Sequence, residues 1–125
     1  NMNLCQWEPF LKASIERCPV SIEAAKNKTV HESYDWLKTM PDESIYDGAR
    51  LATPDEAVNY GRGDGIEKAL TLANILLARM EHEELVLIID DENVVLRSDR
   101  DYTFKSSKGY QKEIKLSRPA LQITT

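Results

Sequence analysis

Residues 64–80 constrain the fold more than any other stretch. Ile66, Ala69, Leu70, Ala73, Leu76, Leu77 and Met80 recur at the three-and-four spacing of one helical face. Leu72 and Ile75 widen that stripe until only Glu67, Lys68, Thr71, Asn74 and Arg79 are polar. A helix this apolar belongs inside a small domain rather than on its rim. Asp64 is placed to act as its N-cap, and Glu67, three residues on, to close a capping box. Gly61-Arg62-Gly63-Asp64-Gly65 is a glycine-rich turn delivered into that helix. Gly65 takes the first helical position, where the helix dipole is most positive, and puts no side chain there.

Ahead of this helix, residues 7–17 form a short amphipathic pattern with Trp7, Phe10, Leu11 and Ile15 on one side and Pro9 in the first turn. Pro19 stops it. Ser21 then stands as the cap of a second helix running to about Met40, with Ile22, Ala25, Val30, Tyr34 and Leu37 as its interrupted apolar face. The sequon Asn27-Lys28-Thr29 falls in the middle of that predicted helix, where exposed polar residues explain it better than glycosylation. Residues 41–63, rich in Pro, Gly, Asp and Asn, read as a long irregular connection, and long ordered loops often carry function. Tyr46, Arg50, Tyr60 and Arg62 are its candidates for the wall of a polar or sugar-like ligand site. The plainer reading has Ile45, Tyr46, Leu51 and Val58 pinning the loop to the core.

After the helix the period changes. Residues 85–89 form a continuous apolar run, suited to a strand covered on both faces. Asp90-Asp91-Glu92-Asn93 is a polar hairpin turn, and residues 94–97 return as its partner. Tyr102 and Phe104 alternate with polar neighbours, and Ile114 with Leu116 marks a fourth strand. The acidic turn lacks the glycine and terminal glutamate of a calcium loop. Helices first and an antiparallel meander afterwards predict an α+β fold: N-terminal helices and a central buried helix on a sheet of three or four strands.

The chain's 125 residues and 42% hydrophobic composition suit a single domain over 1–125, standing alone or as part of a larger protein. A net charge of -5 argues against a sequence-independent nucleic-acid binder. No apolar run approaches the roughly 20 residues that span a bilayer, so a soluble chain is expected, with the cytoplasm favoured. Cys5 and Cys18 form no Cys-x-x-Cys pair, which leaves no metal or redox motif, and free thiols are expected over a bridge. His31, next to Glu32 and four residues before Asp35, reads as a surface histidine. The Arg62-Gly63-Asp64 tripeptide matches the adhesion sequence, but Asp64 is better explained as the helix cap. The glycines around it make neither a P-loop nor a dinucleotide fingerprint, and no cofactor is expected.

Thr53-Pro54-Asp55-Glu56, then Gly61-Arg62-Gly63-Asp64-Gly65, then the alanine- and leucine-rich helix, together resemble the nucleophile region of transglutaminase-like domains. The resemblance spans roughly residues 50–109. In that family a Pro-x-Glu segment leads to Gly-Asp-Cys, and the cysteine opens a buried helix. Strands after the helix then complete a Cys-His-Asp triad. The cysteine position falls on Gly65, the histidine loosely on Asn93 and the aspartate near Ser106. His82 follows the helix directly, where the family has no base. The resemblance therefore implies a degenerate domain without the means to form an acyl intermediate.

Two function classes follow. The favoured one is a non-catalytic module whose old cleft holds a small ligand, a peptide or a neighbouring domain; Tyr60, Arg62, Asp64, Gly65, Asn93 and Ser106 are its candidate residues. The alternative is a hydrolase or other enzyme working through the loop carboxylates Asp47, Asp55, Glu56 and Asp64, with His31 as a possible partner.

Overall fold

The computed structural model describes residues 4–79, 84–117 and 122–124. Among the described residues five helices precede five strands, which is the expected α+β order. The first helix, α1 (Leu4–Glu16), begins earlier than the amphipathic pattern indicates, so Pro9 lies inside it rather than in its first turn. Trp7, Leu11 and Ile15 from its inner face enter the core.

The single helix expected from Ser21 to about Met40 is two helices, α2 (Pro19–Ala25) and α3 (Val30–Thr39). The break is written in Thr29 and Glu32. Thr29 Oγ1 accepts from the Glu32 amide at 3.0 Å, and the Glu32 carboxylate accepts from the Thr29 amide at 2.8 Å, a complete capping box. Asn27 is thus exposed between two helices rather than inside one. Ser21 does not cap α2. It lies buried within it, and its hydroxyl donates to the Cys18 carbonyl. The cap comes from far along the chain: Asp55 accepts from the amides of Val20 and Ser21 at 3.0 and 2.8 Å.

The stretch expected to be irregular up to Gly63 contains another helix, α4 (Pro54–Tyr60). Thr53 and Glu56 form its capping box, and Pro54 occupies the first turn, where its missing N–H costs nothing. Gly61 ends it at φ 67°, a left-handed conformation that glycine adopts without strain.

Next, α5 (Gly65–Arg79) is buried from Gly65 through Leu77, the most enclosed helix of the fold. Its polar residues are not a solvated face, because Glu67, Lys68, Thr71 and Asn74 are each fully buried. Each is held by a partner. Lys68 Nζ donates to the Met40 carbonyl and to Asp42, Thr71 back-bonds to the Glu67 carbonyl, and Asn74 donates to the Cys18 carbonyl and the Ser21 hydroxyl. Met80 and His82 lie outside the described residues.

The strands are β1 (Glu84–Asp90), β2 (Asn93–Arg97), β3 (Asp101–Lys105), β4 (Gln111–Ser117) and the three-residue β5 (Gln122–Thr124). They form one antiparallel sheet in the order β3-β2-β1-β4-β5. The simple meander expected from the sequence therefore stops at β3, and β4 returns to the other side of β1. Leu85, Leu87, Ile89, Val94, Leu96, Tyr102, Phe104, Ile114 and Leu116 are buried on the face toward the helices. Val86, Ile88 and Val95 on the opposite face are half-buried. Thus β1 is central but, among the described residues, covered by helices on one face alone, and its continuous apolar run reflects strand neighbours on both sides. Fully burying one such side chain is worth about 1.5–3 kcal/mol.

The outer edge of β3 is covered from the helical side. Tyr34 Oη accepts from the Thr103 amide at 3.1 Å and donates to the Thr103 carbonyl, which also accepts from Lys38 Nζ. Such groups on an open edge would otherwise template pairing with another chain.

Candidate functional site

The turn that leads into α5 is fixed by two carboxylates. Glu67, fully buried, accepts from the Asp64 amide at 2.8 Å through one oxygen. Its other oxygen accepts from Ser44 Oγ at 2.7 Å and from the Ala52 amide at 2.6 Å. One side chain thereby ties the start of the helix to both ends of the 44–52 loop. Burial pushes its carboxyl above the usual carboxylate range, with the hydrogen bonds working the other way. Asp64 completes the expected cap with one change: its carboxylate accepts from the amide of Ile66 rather than that of Glu67. It also accepts from Ser106 Oγ and the Ser107 amide, each at 2.8 Å. At 1% exposure Asp64 is out of reach of a partner surface, which removes the adhesion reading of the tripeptide.

Beside Asp64, the first residue of the helix meets β3 directly. A Cβ built on Gly65 would lie 2.2 Å from the Lys105 carbonyl oxygen and 2.8 Å from its amide nitrogen. These are backbone atoms, which cannot swing aside as a flexible side chain would. The position with the strongest helix dipole is therefore occupied by a strand edge.

Of the six candidate residues, the fold brings Asp64, Gly65 and Ser106 together in this buried joint. Ser106 is 7% exposed and spends its hydroxyl on Asp64. Asn93 opens β2 opposite Lys105, whose ammonium donates to its Oδ1 at 2.6 Å. Tyr60 is 67% exposed at the end of α4, and Arg62 reaches Glu43 at 3.8 Å. In the 41–63 stretch, Leu51 is buried and pins the chain to the core, and Arg50 lies with its guanidinium 3.8 Å from the centre of the Tyr46 ring. The Tyr46 hydroxyl donates to Glu56, and that bond pushes its own pKa up. Burial would raise Glu56, yet the bonds from the Thr53 amide and the Tyr46 hydroxyl hold it below the usual range.

A polar cavity of about 400 Å³ opens beside the joint, between residues 42–49 and the Ser107-Lys108 turn. Asp42, Glu43 and Asp47 line it together with Lys108. The ammonium of Lys108 is spent on the carbonyls of Tyr46 and Gly48 at 2.9 and 2.6 Å, so it closes the loop rather than facing a ligand. Of the four loop carboxylates considered for catalysis, Asp55, Glu56 and Asp64 each cap backbone amides, and Asp47 alone lines this cavity. His31 is exposed on α3 and pairs with Asp35 at 3.2 Å. Cys18 is a buried free thiol that donates to the Ala13 carbonyl, and burial raises its pKa. The side chain of Cys5 lies outside the described residues. Among the described residues no group of three or more His, Cys, Asp or Glu side chains is placed to hold a metal ion, and no helix is long and apolar enough to cross a membrane.

The sequence pattern placed Glu67 in the capping box, where it is found, but showed neither its bonds to Ser44 and Ala52 nor the buried role of Lys68. A signal for both was present: charged residues one turn into a helix whose remaining faces are nearly all apolar. No family model matches the chain, and no curated protein or solved structure does either.

Proposed function

We propose that this chain is a non-catalytic, transglutaminase-like module that acts by holding a small ligand, a peptide or a neighbouring domain. The observation that carries this reading is the contact of Gly65 with the Lys105 backbone. A cysteine nucleophile draws its reactivity from a helix N-terminus and an adjacent imidazole. Here that N-terminus is closed by β3, and Asn93, at the position resembling the family's histidine, has an amide that cannot take up a proton at neutral pH. The buried free thiol of Cys18 suits a reducing compartment such as the cytoplasm.

The competing reading, an enzyme driven by loop carboxylates, rests on Asp47, since Asp55, Glu56 and Asp64 are engaged in capping. Both readings meet one experiment. The parent, a Cys5→Ser/Cys18→Ser variant and an Asp47→Asn variant are assayed side by side for amide, ester and glycoside hydrolysis. No turnover above buffer in any of them is the expected result. Turnover lost with the cysteines would overturn the module reading in favour of thiol chemistry, and turnover lost with Asp47 would overturn it in favour of the carboxylate enzyme.

A further inference from the structure

A second cavity lies at the β3 edge of the sheet, where Val94 and Phe104 of the core-facing side and the residues of the opposite face both line it. It has a volume of about 270 Å³. Strand alternation and the pairing register put Asn93, Val95, Thr103 and Lys105 on that opposite face, as the opposed pairs Asn93 with Lys105 and Val95 with Thr103. Half-buried Val95 makes an apolar floor between polar walls. Lys38 reaches the same cavity from α3, around the strand edge.

The charge at this place is unbalanced. No carboxylate lines the cavity, although the chain as a whole carries a net charge of -5. Among the described residues neither Lys38 nor Lys105 forms an ion pair, a state they share with several other cations of the chain. Both ammonium groups are nevertheless held in place. Lys38 Nζ donates to the Thr103 carbonyl at 3.1 Å and lies 5.6 and 5.9 Å from the ring centres of Tyr34 and Phe104. Lys105 Nζ donates to Asn93 Oδ1 at 2.6 Å. An ammonium can only donate, so the Asn93 oxygen must face it and the amide NH₂ becomes a further free donor. Two positioned cations and an amide donor border an apolar floor without an acceptor of matching charge. Fixing such donors before binding lowers the ordering cost of capture.

We propose that this cavity binds a small organic anion, with a carboxylate or phosphate head between Lys38 and Lys105 and an apolar part over Val95. The size sits just under that of ordinary ligand pockets, which suits a ligand of a few to a dozen heavy atoms. The proposal rests on reading the chain as a binding module. It places the ligand away from the joint at Gly65, and so gives that reading a ligand class and a site.

The test is a titration of the ¹⁵N-labelled chain, following amide shifts, with benzoate, phenyl phosphate, inorganic phosphate and benzylamine as the probes. At least one of the two organic anions is expected to shift the amides of Val95, Thr103 and Lys105 saturably, with a Kd near or below about 1 mM. The tighter of the two identifies the head group. Lys105→Gln and Lys38→Gln should each weaken that binding about tenfold, the loss of one ammonium contact in a partly solvated site. Lys105 is exposed on the strand surface, so Lys105→Gln decides the matter if the Lys38 variant fails to fold. Absence of saturable shifts with both organic anions, unchanged affinity in Lys105→Gln, or equal binding of benzylamine would each overturn the site. Inorganic phosphate binding as tightly as phenyl phosphate would overturn the apolar half of it. Hydrolytic turnover is read separately, so the anion site can fail while the module reading stands.

Discussion

Gly65 and Lys105 touch through main chain: the first residue of the central helix packs on the carbonyl and amide of the last residue of β3, with no room for a Cβ between them. A glycine here satisfies packing. The first prediction is that Gly65→Ala destabilises the domain, although alanine is the better helix former. Moving a strand end to admit one methyl group should cost about 1–3 kcal/mol. A urea midpoint equal to or above that of the parent would show that the joint is looser than this contact implies.

Asp64 does more than cap a helix. It gathers the Ile66 amide, the Ser106 hydroxyl and the Ser107 amide while almost wholly buried. A bare N-cap is worth about 0.5–2 kcal/mol, and donors left unpaired in the interior add about 1–3 kcal/mol each. Asp64→Ala should therefore lose about 3 kcal/mol by urea unfolding. Ser106→Ala, which removes one of the three bonds, should lose about 1 kcal/mol. Equal losses in the two variants would mean that Asp64 works only through Ser106.

Much of this architecture is legible in the residues. The wide apolar stripe after Asp64 announces a buried helix, and the apolar run at 85–89 with the alternation at Tyr102 and Phe104 announces strands. Capping boxes at Thr29 with Glu32 and at Thr53 with Glu56 were equally readable, yet the composition of 41–63 hid α4, and the apolar pattern ran across the turn before Thr29. Long-range partners were beyond reach for a physical reason. Spacing along the chain locates Asp55 near the start of α4, but only tertiary packing brings it to the amides of Val20 and Ser21. The return of β4 to β1 is of the same kind: alternation identifies a strand without saying which edge it joins. For the candidate site, glycine at position 65 was visible from the start. That Lys105 backbone, rather than solvent, occupies the space beside it was not.

Glu67 and Glu56 should give pH dependences of opposite sign. Burial raises the folded-state pKa of Glu67 above its ordinary 4.5, so its contribution to stability is fully present below that value and is lost as pH rises through the folded pKa. For Glu56 the folded pKa is lowered from 4.5, so its contribution is present above that value and is lost as pH falls through the folded pKa. Stabilities of the parent, Glu67→Gln and Glu56→Gln are compared between about pH 3 and pH 7. The advantage of the parent over Glu67→Gln should shrink as pH rises, and its advantage over Glu56→Gln should grow. The same slope for both variants would contradict these two environments.

The β3 edge supplies a fourth prediction. Tyr34→Phe removes the hydroxyl that meets both backbone groups of Thr103, and leaves the edge contact between the Tyr34 ring and Phe104 available. A loss of about 1 kcal/mol is expected, together with faster hydrogen exchange at the Thr103 amide. Unchanged exchange at that amide would show that another group protects it.

The central claim, that the N-terminus of α5 is a closed joint rather than a reactive centre, is tested most directly by thiol-dependent turnover. Amide and ester hydrolysis is measured for the parent and for Gly65→Cys, each with and without iodoacetamide, alongside the labelling rate of the new cysteine. The expected result is no iodoacetamide-sensitive turnover by either protein, with Gly65→Cys destabilised at least as much as Gly65→Ala. Iodoacetamide-sensitive turnover by the parent, or a stable Gly65→Cys protein that hydrolyses either substrate, would contradict it.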